Sequence, residues 1–172
     1  MAEGLERIFL AHSASKLEQY RDRITECLDR LSQDQVWARG SGNENAAGNL
    51  VLHLCGNVRQ WIGTGVAGKP DVRVRDREFS ARGGIPAEEL KRRLEATVAD
   101  AVAILRNLPA ERLAERTQVQ KYDLTVMEAI YHVVEHFAQH TGQIIFATKA
   151  FTGQDLGFYA HLNQPSHGEK TP

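Results

Sequence analysis

The sequence lacks the features that would direct it to a membrane, to the cell exterior or to a nucleic acid. None of its apolar runs approaches the ~18 residues needed to span a bilayer. The opening MAEGLERIFLAH carries early acidic residues instead of a signal peptide's apolar core. The formal net charge is −1, which offers no broad electrostatic attraction to nucleic acid or anionic lipid. We therefore predict a cytoplasmic protein that binds neither nucleic acids nor membranes.

Cysteines and catalytic signatures are scarce too. The two cysteines, Cys27 and Cys55, lack CxxC spacing, and we expect both to be reduced, buried thiols. No P-loop, dinucleotide fingerprint or Ser–His–Asp order is present. What remains is an ordinary globular composition, 42% hydrophobic and 25% charged over 172 residues. Such a chain can form a single domain without support from a metal or a disulfide.

Helical periodicity dominates the sequence. Apolar residues recur at spacings of three and four in four long segments, and no convincing pair of strands is visible. The connector ERTQVQKYDL could hold a short extended piece, and DLGFYAHL one short closing helix. We predict an all-α fold, a four-helix bundle with a short extra C-terminal helix, as one domain over 1–164 with a flexible tail over 165–172. The predicted helices cover about 4–31, 46–67, 86–107 and 126–151.

Three of these helices have recognisable start signals. Asn45 is the predicted cap of the second helix, and Pro86 is the predicted first residue of the third. Thr125 and Glu128 have the Thr-x-x-Glu spacing of a capping box, so we expect Thr125 to cap the fourth helix and Glu128 to bond back to it.

Three of the seven histidines, His132, His136 and His140, recur at every fourth position of the fourth helix. At about 100° per residue, with His132 at zero, His136 falls near 40° and His140 near 80°, toward the apolar face. Neighbouring histidines are about 6 Å apart along the axis and the outer two about 12 Å, so one ion can take only a neighbouring pair. The bearings favour His136 with His140. They leave His132 at the rim, held by Glu128 one turn earlier.

The second helix supplies a third candidate ligand, His53. It belongs to a narrow polar stripe that would be costly to bury without partners on so apolar a helix. If the stripe faces the fourth helix, His53 can meet the histidine pair across the bundle. Three neutral imidazoles leave open positions for water or substrate, as in catalytic metal sites. The members of the stripe are Asn49, His53, Asn57, Gln60 and Thr64.

Other side chains are candidates for the surroundings of this site. Asn57, Gln139 and Gln143 have bearings from which they could orient a substrate. Cys55 lies near the opposite side of the helix from His53 and is expected in the core. No residue stands out as a general base, so catalytic residues stay unassigned. The histidines could also be polar residues of a bundle without metal.

Two segments resemble those of the DinB-like metal-binding proteins, which include damage-inducible proteins and relatives of bacillithiol and mycothiol transferases. They are NLVLHLCGNVRQWI and HVVEHFAQHTGQI. The resemblance implies that His53, His136 and His140 hold one divalent ion, zinc or nickel in the first place and iron or manganese as alternatives. It also implies a homodimer. Thr141 stands where the family often has arginine, a departure that would alter the rim of the site.

The charged segment KPDVRVRDREFSARGGI, residues 69–85, follows the second predicted helix. Its favoured interpretation is a solvated, charge-balanced loop. The alternative is a segment that lies over the metal and holds an anionic co-substrate such as the carboxylates of a small thiol. Its charged residues are Lys69, Arg73, Arg75, Arg77 and Arg82, with Asp71, Asp76 and Glu78.

Several functions fit these features. The first is a metal-dependent S-transferase or isomerase, in which the ion activates a low-molecular-weight thiol toward an electrophilic substrate. A variant is a metal-dependent hydrolase. The second is a non-catalytic metal-binding stress protein, and the third a dimeric interaction module without metal.

Overall fold

A computed structural model describes residues 4–163 of the chain, so the predicted tail at 165–172 lies outside the described residues. The chain forms helices α1 Leu5–Arg30, α2 Gln33–Val36, α3 Ala47–Val58, α4 Arg75–Ser80, α5 Ala87–Asn107 and α6 Val126–Thr152, and strands β1 Arg116–Val119 and β2 Tyr122–Thr125. A π-helical segment, Arg59–Val66, continues α3, and short 3-10 turns cover Ala110–Ala114 and Ala160–Asn163.

The four long helices form the predicted bundle, and the prediction of an all-α fold class is confirmed. Helix α1 packs against α5 and α6, and α3 packs against the same two helices, so α1 and α3 occupy opposite corners. Each helix buries one apolar face, and each fully buried large side chain contributes about 1.5–3 kcal/mol. The largest of them are Leu10, Leu17, Ile24, Leu28, Leu54, Ile62, Leu90, Leu94, Leu105, Ile130, Phe137 and Ile144.

The helix starts agree with the sequence in part. The capping box of α6 is confirmed, because Glu128 N donates to Thr125 Oγ1 at 3.2 Å and Thr125 N donates to Glu128 Oε2 at 2.7 Å. The prediction that Asn45 caps the second helix is wrong. The cap position is Ala46, whose N–H donates to Asn49 Oδ1 at 3.2 Å, because that amide reaches back from the first turn. Pro86 also precedes its helix as the cap residue instead of occupying the first helical position.

A β-hairpin corrects the expectation that the chain has no strand pair. Strands β1 and β2 pair antiparallel with Arg116 opposite Thr125 and Val119 opposite Tyr122. Its turn places Gln120 in the left-handed region, at φ 57°, without the Asn-Gly or Asp-Gly sequence that marks most such turns. The hairpin leads directly into α6.

The predicted closing helix is also shorter than expected. Only Ala160–Asn163 forms a helical turn, of the 3-10 type. Gly157 interrupts the preceding stretch with a left-handed φ of 70°. Among residues 4–163, no helix combines the length and hydrophobicity that crossing a bilayer requires.

The segment between the second and third long helices is not the solvated loop that the sequence favoured. It contains α4, and its Glu78 is buried. Asn49 of α3 holds the segment in place, because its Nδ2 donates to the carbonyl oxygens of Glu78 at 2.8 Å and Ala81 at 3.0 Å. Arg75, Arg77 and Arg82 remain exposed, so the interpretation holds for part of the segment only.

Candidate metal centre

The bundle brings one histidine of α3 and two of α6 to the same point. His136 Nε2 lies 3.1 Å from His53 Nε2 and 3.1 Å from His140 Nε2. One ligand atom from each of the three rings lies within 4.8 Å of the others. Metal–nitrogen bonds of ~2.0–2.1 Å separate adjacent ligand atoms by roughly 3.0–3.4 Å. These three histidines could therefore hold a metal ion.

Hydrogen bonds at the outer nitrogens of His53 and His140 fix the tautomer of each ring. His53 Nδ1 lies 2.9 Å from Glu78 Oε2, and His140 Nδ1 lies 2.6 Å from Gln143 Oε1. Since an ionised carboxylate and an amide oxygen only accept, both Nδ1 atoms carry the proton and both Nε2 atoms present lone pairs. His136 Nε2 faces both lone pairs and can donate to only one of them. A cation among the three nitrogens would relieve this mismatch, so the donor set fits a divalent ion.

A buried ion pair supports His53 from behind. Arg73 Nε donates to Glu78 Oε1 at 2.8 Å and Arg73 Nη2 to Glu78 Oε2 at 2.8 Å, with side chains that are 4% and 9% exposed. Arg73 Nη2 also lies 3.1 Å from His53 Nδ1, but the carboxylate is its nearer partner. Burial opposes ionisation, yet the hydrogen bonds from Arg73 and His53 hold the pKa of Glu78 below its usual value. Glu78 is therefore charged and accepts a hydrogen bond from the Nδ1–H of His53.

A glycine on α3 makes room for this pair. A Cβ atom at Gly56 would lie 1.9 Å from Glu78 Oε1 and 2.9 Å from Arg73 Nε. Glycine within a helix costs about 1 kcal/mol relative to alanine. At this position it allows the carboxylate to pack against the helix close to His53.

Burial keeps two of the clustered histidines, His136 and His140, neutral. Burial first, and then the neighbouring His140, His53, His132 and Arg73, lower the pKa of His136 to about 3. Burial also lowers the pKa of His140, although the bond to Gln143 opposes the change. Neutral imidazole is the form that binds metal, so these rings are ready to bind at pH 7.

His132 lies beside the cluster. Its ring contacts the Trp61 ring in a tilted arrangement, with 4.0 Å between centroids, and stacks on the ring of His136 at 5.5 Å. Burial lowers its pKa. The predicted bond from Glu128 to His132 is wrong, because Glu128 Oε2 accepts from Thr125 N and Oγ1, at 2.7 and 2.8 Å, and so serves the helix cap.

The remaining rim residues predicted from the sequence differ in position. Gln143 contacts His140, and Asn57 is buried one turn after His53. Gln139 is exposed and makes no hydrogen bond to the three histidines within the described part of the chain. Sequence reasoning missed Glu78 and Arg73 as supports of the site. They lie in a segment without helical periodicity, and only the tertiary fold brings them to His53.

A cavity of about 660 Å³ adjoins the cluster. Its walls come from α3 with the π-segment, from α6, from the hairpin and from the segment before α4. Lining residues include His53, Asn57, Trp61, Arg73, Tyr122 and His132. A ligand in this cavity would contact two of the three clustered histidines, His53 and His136.

The two cysteines play no part in the cluster. Both are free and buried, as predicted. Burial raises the pKa of Cys55 and of Cys27, which keeps them as inert thiols.

The four-helix bundle has the fold of DinB-like helical proteins. The chain belongs to a family described as "Protein of unknown function (DUF1572)", whose model matches residues 5–161.

Solved structures share this fold. A conserved protein from Enterococcus faecalis superposes with a TM-score of 0.74 at 13% identity, over 89% of this chain and 100% of that one. A DinB-like protein, YjoA, from Bacillus subtilis gives a TM-score of 0.65 at 18% identity, over 86% and 97%. A search of curated proteins found no significant match.

Proposed function

We propose that this protein binds one divalent metal ion through Nε2 of His53, His136 and His140, and that it acts as an S-transferase or isomerase on a low-molecular-weight thiol. The observation that carries the proposal is the convergence of three ring nitrogens, with His136 Nε2 at 3.1 Å from the other two. The lone pairs of His53 and His140 are fixed by their outer partners. Imidazole ligands suit zinc and nickel, with iron and manganese as alternatives.

An ion held there would lower the pKa of a thiol beside it and so favour the nucleophilic thiolate. The chain's own contribution is to hold the three rings in one orientation and to shape the adjoining cavity. Glu78 and Gln143 hold the protons on the outer nitrogens of His53 and His140. Arg75 lines the cavity beside Arg73, and its guanidinium lies 4.8 Å from the Phe79 ring centroid.

The site favours thiol chemistry over hydrolysis. Hydrolysis by metal-activated water usually relies on a general base near the ion. Glu78 is committed to Arg73 and His53, and Glu128 to the cap of α6. A thiol has a free pKa of about 8.5, which an adjacent ion would lower further, so its ionisation at pH 7 needs no dedicated base.

A second candidate function follows from the origin of the ligands. Because His53 belongs to α3 and the other two belong to α6, an ion would join two helices of the bundle. A non-catalytic stress protein could use the metal in this way, with the ion stabilising the folded state by its binding free energy. The homodimer remains a prediction, which light scattering of the purified protein checks.

Metal content tests the proposal first. The protein, purified without a histidine tag and reconstituted with zinc, is expected to hold one ion per chain by elemental analysis. His136→Ala should lose it, whereas the exposed His12→Ala should retain it. Less than half an ion per chain in the reconstituted native protein would contradict metal binding.

Cobalt substitution then separates the two functions. A small thiol that reaches the ion should add a sulfur-to-cobalt charge-transfer band in the near ultraviolet and shift the visible bands. If the cobalt spectrum stays unchanged at millimolar thiol, the metal has a structural or sensory role instead.

A further inference from the structure

Several residues that line the cavity beside the histidines have a buried polar atom without a hydrogen-bond partner. Within residues 4–163, four buried side-chain atoms lack a hydrogen-bond partner: Asn57 Oδ1, Trp61 Nε1, His136 Nδ1 and Glu89 Oε2. The last of these forms an ion pair with Arg92. The other three belong to residues that line the cavity. Burial of polar atoms without partners costs free energy, so these three residues favour a polar ligand in the cavity.

The three residues follow one another along the cavity. Asn57 is 4% exposed and lies one helical turn after His53 and one before Trp61, on the same face. The Trp61 ring contacts the ring of His132, which lies one turn before His136 on the facing helix. Tyr122 of the hairpin lies 6.0 Å from Trp61 between ring centroids. Asn57 is therefore placed between the candidate metal centre and an aromatic wall.

The donors and acceptors of these three residues indicate which chemical group of a ligand would complete their hydrogen bonds. Trp61 Nε1–H can only donate, and His136 Nδ1 carries a proton when its Nε2 faces the ion. Asn57 Oδ1 can only accept. A complementary group must accept and also donate, as an amide or an alcohol does. A carboxylate has no hydrogen to give to Asn57, and an ammonium group has no lone pair for Trp61.

We propose that this cavity is a subsite for a neutral amide or hydroxyl group carried by the molecule that reaches the metal, and that Asn57 selects it. The subsite rests on the proposed function, because it needs a ligand whose other end approaches the histidines. A volume of about 660 Å³ is ample for a small molecule. It far exceeds the ~30 Å³ that one water molecule occupies in the liquid.

Binding to the cobalt-substituted protein tests the subsite with three thiols of similar reach. N-acetylcysteamine carries an amide, 4-mercaptobutanoate a carboxylate, and 1-butanethiol an apolar tail. We expect the amide to bind about 3- to 10-fold more tightly than the apolar tail. Asn57→Leu should remove most of that preference and leave the dissociation constant of 1-butanethiol and the metal content unchanged. Trp61→Phe, which keeps an aromatic ring beside His132, should remove part of it.

Each other outcome would overturn the subsite. Tighter binding of 4-mercaptobutanoate would indicate that Arg73 and Arg75, and not Asn57, determine which group the cavity binds. Equal binding of the three tails, or a preference that survives both variants, would mean that the cavity holds only water. If no thiol alters the cobalt spectrum, the proposed thiol function is wrong. The subsite is then tested with ligands that carry an imidazole in place of the thiol. N-acetylhistamine must then bind more tightly than 4-butylimidazole in an Asn57-dependent manner, and equal affinities would refute the subsite.

Discussion

The two sides of the histidine cluster have unequal support. On the α3 side, His53 is buried and bonds to the Glu78 carboxylate, which accepts two hydrogen bonds from Arg73. On the α6 side, His140 bonds to one exposed amide, Gln143, and His136 Nδ1 has no partner among residues 4–163. His53 is therefore held in one orientation by its neighbours in the fold. The orientation of His136 and His140 depends on α6 itself and on what binds beside these two rings.

The largest effect is expected from removal of the buried carboxylate. Glu78→Leu leaves Arg73 buried without its counter-charge, which should lower the free energy of unfolding by about 3–5 kcal/mol. It also frees the His53 ring, so zinc affinity should fall about 10- to 100-fold. Urea unfolding and competition with a chromophoric chelator measure the two effects. The matched control is Asp76→Leu on the same helix, where the carboxylate is exposed. Equal zinc affinities for the two variants would contradict the role of Glu78.

A substitution on α3 is expected to disturb the bond between Glu78 and His53 less strongly. In Gly56→Ala the new methyl group meets the Glu78 carboxylate, so we expect a loss of about 1–3 kcal/mol in unfolding free energy and weaker zinc binding. Gly142→Ala is the control, because a Cβ atom there meets nothing within 4 Å. The control should be neutral or stabilising by up to about 1 kcal/mol. Thermal unfolding and the chelator assay compare the pair, and a Gly56→Ala protein that behaves as its control does would refute the close packing.

Acid should weaken the metal-free protein through the α6 side. The pKa of His136 is lowered from 6.5 to about 3 in the folded chain, so the unfolded chain takes up its proton first as the pH falls. This contribution to stability is complete above pH 6.5 and is lost progressively between pH 6.5 and about 3. Urea midpoints of the metal-free protein at pH 7, 6, 5 and 4 should decline. The decline should be shallower in His136→Gln, and equal slopes would contradict the shift.

The smallest effect is expected at the exposed support of His140. Gln143→Ala removes one hydrogen bond near solvent, so zinc affinity should fall only about 2- to 5-fold. Gln139→Ala, on the same helix, should leave the affinity unchanged. A loss at Gln143 as large as the loss at Glu78 would remove the proposed asymmetry between the two sides.

The sequence predicted the parts of this protein that depend on helical periodicity. The bearings computed for α6 placed His136 and His140 deeper than His132, and the polar stripe on α3 contained His53. Both follow from the regular turn of a helix, and the bundle then brings the two faces together.

Features that depend on tertiary contact escaped prediction. From the sequence, Arg73 and Glu78 are interpreted as surface charges. The neighbouring residues in the sequence do not indicate that Gly56 leaves space for both side chains against α3. The sequence predicts a short extended piece in this connector but not its pairing into a hairpin, because each strand has four residues and the turn lacks glycine and asparagine. Asn45 carried a capping signal, but Asn49 was better placed to bond Ala46.

X-ray absorption at the zinc edge of the reconstituted protein tests the central claim most directly. Coordination by His53, His136 and His140 predicts a shell of nitrogen or oxygen atoms at ~2.0–2.1 Å, with outer-shell scattering from three imidazole rings. His53→Ala should reduce the imidazole count by one. A sulfur atom at ~2.3 Å, or fewer than two imidazoles in the native protein, would contradict the account.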